Sequence, residues 1–201
     1  MVTAMNRLLP RLLLPALLAC SAQPALAQTD QDTSPLPNEA VPAVDLERYA
    51  GQWYEIAHLP MYYQRKCVAD TTAQYTLQAD GTMAVRNRCR TADGSFQQVD
   101  GQARGVDGST SKLEVRFAPG WMSWLPMVWG DYWVIALDPD YQWAMVGAPD
   151  NKYLWILSRS DQLDAGVRNR LLDQARRMGY AVDKVQITAQ RSQQAAASPG
   201  P

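Results

Sequence analysis

Few residues of this chain are placed to do covalent chemistry. Histidine occurs once, at His58, and the thiols beyond it are Cys67 and Cys89. A neutral imidazole at a strand end could ligate a metal or haem iron, but such a site needs several ligands, and no second histidine stands near. Acid–base or nucleophilic catalysis asks for a free thiol, or for an acid and a base within hydrogen-bond reach. Glu55 alternates onto the same side as Trp53 and Ala57 in the run Gly51-Gln52-Trp53-Tyr54-Glu55-Ile56-Ala57, and the sequence gives it no partner. Pointing inward, its carboxylate would select a polar head group or pair with an interior arginine; a surface or rim position is the competing reading. No catalytic residue, metal or cofactor is expected.

The conspicuous chemistry is apolar. Residues 117–130 carry Trp121, Trp124 and Trp129, Met122 and Met127, and Pro119 and Pro126. That composition is too apolar for a solvated loop and too broken for a strand. Either the segment folds inward and fills a core, or Trp121, Trp124 and Met127 form a pliable lip that meets an acyl chain, a membrane or a second copy of the chain. Elsewhere Gly51 lets backbone pass closely and Trp53 supplies a large flat plug, on which the guanidinium of Arg159, about a hundred residues later, can stack.

The elements that position these residues are short strands. Alternation and turn residues predict strands at 52–58, 70–78, 82–90, 95–105, 111–117, 131–138, 141–147 and 151–158, punctuated by Asp80-Gly81, Asp138-Pro139-Asp140 and Pro149-Asp150-Asn151. After Arg159 the period changes. Val167, Leu171, Ala175 and Met178 share one helical face, and Gly179 sits where a helix should stop. A ninth short strand is expected over 182–188. The fold class is all-β: an eight-stranded antiparallel up-and-down barrel with a C-terminal helix and a short final strand. Its candidate ligand-lining residues are Glu55, Ala57, Trp121, Trp124, Met127, Tyr132, Val134, Tyr153 and Trp155. Trp53, Tyr132 and Arg159 also read as structural, closing the floor of the cup whatever it holds.

Compartment follows from the N-terminus. Arg7 and Arg11 flank and interrupt an apolar run, Leu8 to Ala19, of signal-peptide length and too short to span a bilayer. Two cleavage readings compete: Leu17-Leu18-Ala19-Cys20 as a lipoprotein box with lipid on Cys20, and Ala25-Leu26-Ala27 as an ordinary signal-peptidase site, which gives a leader of 1–19 or 1–27. Three cysteines leave one over, so a modified Cys20 would free Cys67 and Cys89 to pair in an oxidising compartment; two buried thiols is the alternative. Removing residues 1–27 takes away two arginines and no acids, leaving 17 cationic against 20 acidic side chains. A mildly acidic chain argues against nucleic acid and against a polybasic membrane patch. Residues 28–43 read as a Pro-rich tether, 44–189 as one domain, and 190–201 as a disordered tail.

The order Gly-x-Trp strand, eight-stranded meander, arginine after the eighth strand, helix and short last strand resembles the lipocalin family over residues 44–189. The runs Trp53–Ala57, Gly130–Asp138 and Tyr153–Arg159 look most like the group of bacterial outer-membrane lipoprotein lipocalins and their apolipoprotein D relatives. The resemblance implies a carrier for a small apolar ligand such as a fatty acid or lysophospholipid. It implies outer-membrane sorting of a lipidated Cys20 followed by Ser21, and leaves open a homodimer. A few lipocalin-like folds are enzymes acting on lipids, which keeps catalysis as the rival; a structural envelope protein with a vestigial cup is a third reading.

Overall fold

The computed structural model describes residues 34–118, 120–122 and 125–191. The leader and Cys20 lie outside the described residues, as does the tail beyond residue 191. Strands β1 Gly51–His58, β2 Cys67–Leu77, β3 Met83–Thr91, β4 Phe96–Gly105, β5 Lys112–Arg116, β6 Gly130–Leu137, β7 Trp143–Gly147 and β8 Leu154–Ser158 pair antiparallel in sequence order. β1 then pairs with both β8 and β2, so the sheet closes on itself. Alternation sends Trp53, Ala73, Tyr75, Val85, Tyr132, Val134 and Leu157 inward, where they are buried together.

One end of this barrel is shut. A single helical turn, α1 Leu46–Tyr49, capped by Asp45, lays Tyr49 and Leu46 against the inward cluster. Gly51 follows at φ 101°, a left-handed conformation that favours glycine, and a Cβ there would lie 3.2 Å from the Arg159 guanidinium. Arg159 sits 3.8 Å over the Trp53 ring and donates to the carbonyls of Gln52, Arg48 and Tyr49 at 2.9, 2.6 and 3.2 Å. One cation thus supports the plug and satisfies the backbone that turns beneath it. Because the strands are antiparallel and β1 leaves this floor at Gly51, residues 59–66, 92–95, 148–153 and, of the link before β6, 117–118, 120–122 and 125–129 gather at the opposite end, the mouth.

Helix α2 Ala165–Arg177 covers the outer face of β6–β8. Its Leu171 and Ala175 are buried, with Val167 and Met178 beside them, against Ile56, Ile135, Met145, Leu154 and Ile156. Those strands are apolar on both faces because one faces the interior and the other this helix. The last strand is shorter than expected. Val182–Lys184 form a 3-10 turn, and only β9 Gln186–Ile187 pairs, with Ala57 and His58. Val182 is drawn into the cluster beneath the helix, which bends the chain before it can run as a strand.

Two expected boundaries shift. Part of the tether is docked: Leu36 N donates to Arg177 O, Asn38 Nδ2 to Ala148 O and Val41 N to Val134 O, so residues 36–41 strap helix, mouth-side loop and sheet together. The ordered chain also runs past 189. Gln190 is buried, and its amide donates to the carbonyls of Glu55 (3.0 Å) and Thr71 (3.2 Å). β1 and β2 pair only from Gly51↔Tyr75 to Tyr54↔Thr72; above that they part, and residues 186–191 fill the gap.

Candidate ligand-binding site

The floor of the cup is aromatic. Tyr49 and Tyr75 stack loosely with each other, Tyr49 with Trp53, and Tyr132 with Trp155. The Tyr132 hydroxyl lies 2.8 Å from that of Tyr49 and 2.9 Å from that of Tyr75. Burial pushes all three phenols up. For Tyr75 it does so against the Tyr132 hydrogen bond and with help from the Glu55 charge, to about 12. All three therefore stay neutral. Three hydroxyl protons serve two bonds within the cluster, so one proton remains to be donated outside it. Tyr49 and Tyr75 escaped the sequence reading, although Tyr75 falls on the inward parity of β2 opposite Gly51.

Above the floor the buried inner cluster is apolar, and polar side chains join it at Glu55 on β1, Asn87 on β3 and Gln97 on β4. Asn87 stands in register with Ala73 on β2 and Val99 on β4, facing the interior, and its Oδ1 is buried with no hydrogen-bond partner among the described residues. A buried amide oxygen left unpaired is costly and invites a ligand group.

Towards the mouth a β-bulge decides which residues point in. Glu55 pairs with Leu157 and Ala57 with Ile156, so β1 holds one residue more than β8 at Ile56. Past that point the parity reverses. Ala57, expected in the lumen, is buried instead beneath α2 with Ile56 and Ile156. His58 turns to the side of Glu55, and its Nδ1 lies 2.9 Å from Glu55 Oε1. The two residues that the sequence left apart are partners. Glu55 is buried, and it also accepts from Gln64 Nε2 at 2.6 Å and from the Thr188 hydroxyl. Gln64 in turn accepts from Trp155 Nε1 at 3.3 Å, and Trp155 stacks on Tyr153 with ring centroids 5.9 Å apart. Glu55 therefore holds the turn Tyr62–Gln64, the end of β1 and the C-terminal segment together.

Val134 and Tyr132 both lie in the buried inner cluster. Cys67 and Cys89 are joined as a disulfide across the mouth end of β2 and β3, with Cα atoms 5.5 Å apart. In the lip, 3-10 turns at Gly120–Met122 and Pro126–Val128 break the chain. Met127 is 85% exposed, and Phe117 and Tyr63 stand out around the same rim. Trp129 turns outward between the guanidinium groups of Arg104 (4.0 Å) and Arg116 (5.1 Å). Trp124 and the side chain of Trp121 lie outside the described residues.

The family described as "Lipocalin-like domain" matches residues 44–190. Temperature-induced lipocalin-1 of Arabidopsis thaliana is 41% identical over 155 residues, covering 76% of this chain and 82% of that protein. Outer membrane lipoprotein Blc of Escherichia coli (strain K12) is 35% identical over 173 residues, covering 86% and 94%. In three dimensions insecticyanin from the tobacco hornworm Manduca sexta superposes with a TM-score of 0.60 at 24% identity, over 77% of this chain and 85% of that one, a likeness of fold. Matched from the floor-closing Val44 to the buried Gln190, the chain belongs to the lipocalin family, in the group that includes Blc.

Proposed function

We propose that this protein binds, stores or delivers a small apolar molecule, a fatty acid or lysophospholipid, at the bacterial outer membrane, tethered by lipid on Cys20. The observation that carries the reading is the wall itself: an apolar interior shut at one end by Trp53 and Arg159, in which Asn87 presents a buried, unpaired oxygen. Burial at roughly 0.8 kcal/mol per methylene makes micromolar affinity attainable for a long chain, and a few polar groups suffice to fix its head. The Asn87 amide and the spare proton of the tyrosine cluster are the groups available. The name of Blc, an outer membrane lipoprotein, supports the location and the anchor.

The Glu55–His58 pair is the one observation favouring an enzyme. Against it, both carboxylate oxygens already accept hydrogen bonds, from Thr188 and Gln64 as well as His58, which suits a structural clasp better than a base waiting for substrate. Native mass spectrometry of the protein taken from cell envelopes separates the readings. A carrier retains a lipid adduct, and Cys20→Ser moves the loaded protein from membrane to soluble fractions. An empty protein would sink the carrier reading, a processed lipid would favour the enzyme, and unchanged membrane partition of Cys20→Ser would remove the anchor.

A further inference from the structure

The outer face of β1–β4 carries a second concavity, separate from the cup. It is a half-open hollow of about 460 Å³ lined by Gln52, Tyr54, Asp70, Thr72, Gln74, Arg86, Arg88 and Gln98. Register builds it as two rows across four strands. Gln52, Gln74, Arg86 and Asp100 stand in one row; Tyr54, Thr72, Arg88 and Gln98 stand in the next. The rows differ in charge. Arg86 is neutralised by Asp100 at 2.7 Å, and beyond the second row Arg90 is neutralised by Asp70 at 2.6 Å. Between them Arg88 has no carboxylate partner among the described residues. Its guanidinium lies 3.5 Å over the Phe96 ring, which it shares with Arg90 at 4.1 Å, and Arg88 lines the hollow.

We propose that this hollow binds an anionic sugar, a carbohydrate unit bearing a phosphate or other oxyanion, with Arg88 taking the anion. The hollow is broad enough for one sugar unit, and its lining side chains are polar or charged, which favours a ligand dense in hydrogen-bond groups over an acyl chain. Gln52, Gln74 and Gln98 each offer a donor and an acceptor on one amide, the pairing that neighbouring sugar hydroxyls match, and Tyr54 and Thr72 add hydroxyls. An unneutralised guanidinium held flat against a ring is suited to bidentate contact with an oxyanion. Asp70 forms the wall towards the mouth, held from behind by the Arg191 N to Asp70 Oδ1 bond at 2.7 Å.

The test is amide NMR of the folded protein titrated with glucose 6-phosphate, glucose and inorganic phosphate. Glucose 6-phosphate should shift the amides around Thr72, Arg88 and Gln98 and bind at least several-fold tighter than either part alone. Arg88→Gln should weaken it by roughly tenfold or more, the scale of a lost hydrogen bond to charge. Thr72→Val should weaken glucose 6-phosphate and leave phosphate unchanged. Arg170→Gln, an exposed helix cation elsewhere, should change nothing. Should Arg88→Gln unfold, Arg88→Lys, which keeps the charge and loses the planar fork, reads the anion contact by a weaker loss of affinity. Absence of shifts at millimolar ligand, or shifts that persist in Arg88→Gln, would overturn the proposal. So would phosphate binding as tightly as glucose 6-phosphate, which marks a bare charge site. None of these outcomes bears on lipid in the cup.

Discussion

At the scale of single residues, Ile56 matters more than its plain side chain suggests. By making one extra step in β1 it turns Ala57 out of the cup, brings His58 beside Glu55, and converts what looked like an isolated carboxylate into the centre of a clasp. Period-2 counting cannot foresee this, because a bulge leaves no mark in an alternation that stays apolar on both faces. Trp53 and Arg159 were legible for the opposite reason: a glycine, a tryptophan and a distant arginine have few ways to meet other than the one observed. Trp53 is fully buried, so Trp53→Ala should destabilise by about 3–5 kcal/mol. Arg159→Ala should cost less. In a double-mutant cycle followed by chemical denaturation, the pair should show coupling on the order of 0.5–3 kcal/mol, and strict additivity would mean that the observed stacking contributes nothing.

At the scale of elements, the eight strands and the helix were readable from turn residues and period, while the docked segments at either end of the described residues were not. Residues 36–41 and 186–191 are held by backbone donors and by Asn38, Thr188 and Gln190, contacts that have no hydrophobic periodicity to announce them. The C-terminal wedge should be sensitive to acid through Asp70. Partial burial raises this carboxyl, but the hydrogen bonds and charges of Arg90 and Arg191 outweigh it, and the net effect holds it below the usual aspartate value of 3.8. A folded value lower than the unfolded one means that the stabilisation is fully present above about pH 4 and is lost as pH falls through the lowered value. Amide exchange of Gln190 and Arg191 should therefore accelerate below pH 4 relative to the β6–β7 core, and uniform acceleration of both would remove Asp70 from that role. The lip is the second element open to test. Replacing Trp121, Trp124 and Met127 together by Ser should leave the fold intact, because the floor is built at the other end of the barrel, and should weaken binding of a fluorescent fatty acid by removing apolar surface at roughly 25 cal/mol per Å². An unfolded triple variant would identify the segment as a core plug, and loss of self-association alone would identify it as a subunit interface.

For the molecule as a whole, the sequence carried the architecture because closure, floor and covering helix each leave a pattern: a glycine, an outlying arginine, strands apolar on both faces. It carried the cup's contents poorly, because the lining depends on residues such as Tyr49, which precedes the barrel altogether, and Asn87, which looks like one more polar residue among arginines on β3. An apolar ligand should nevertheless sit in that interior. Asn87→Trp tests this most directly, since it places a large ring into the lumen from mid-wall while leaving the floor, the disulfide and the lip untouched. Titrated with a fluorescent fatty acid and checked for folding by circular dichroism, the native protein should bind in the micromolar range and the folded variant should lose that affinity by at least about tenfold, more than 1.4 kcal/mol. A folded Asn87→Trp protein that binds as well as the native one would contradict the account, because the ligand would then lie somewhere other than the cup.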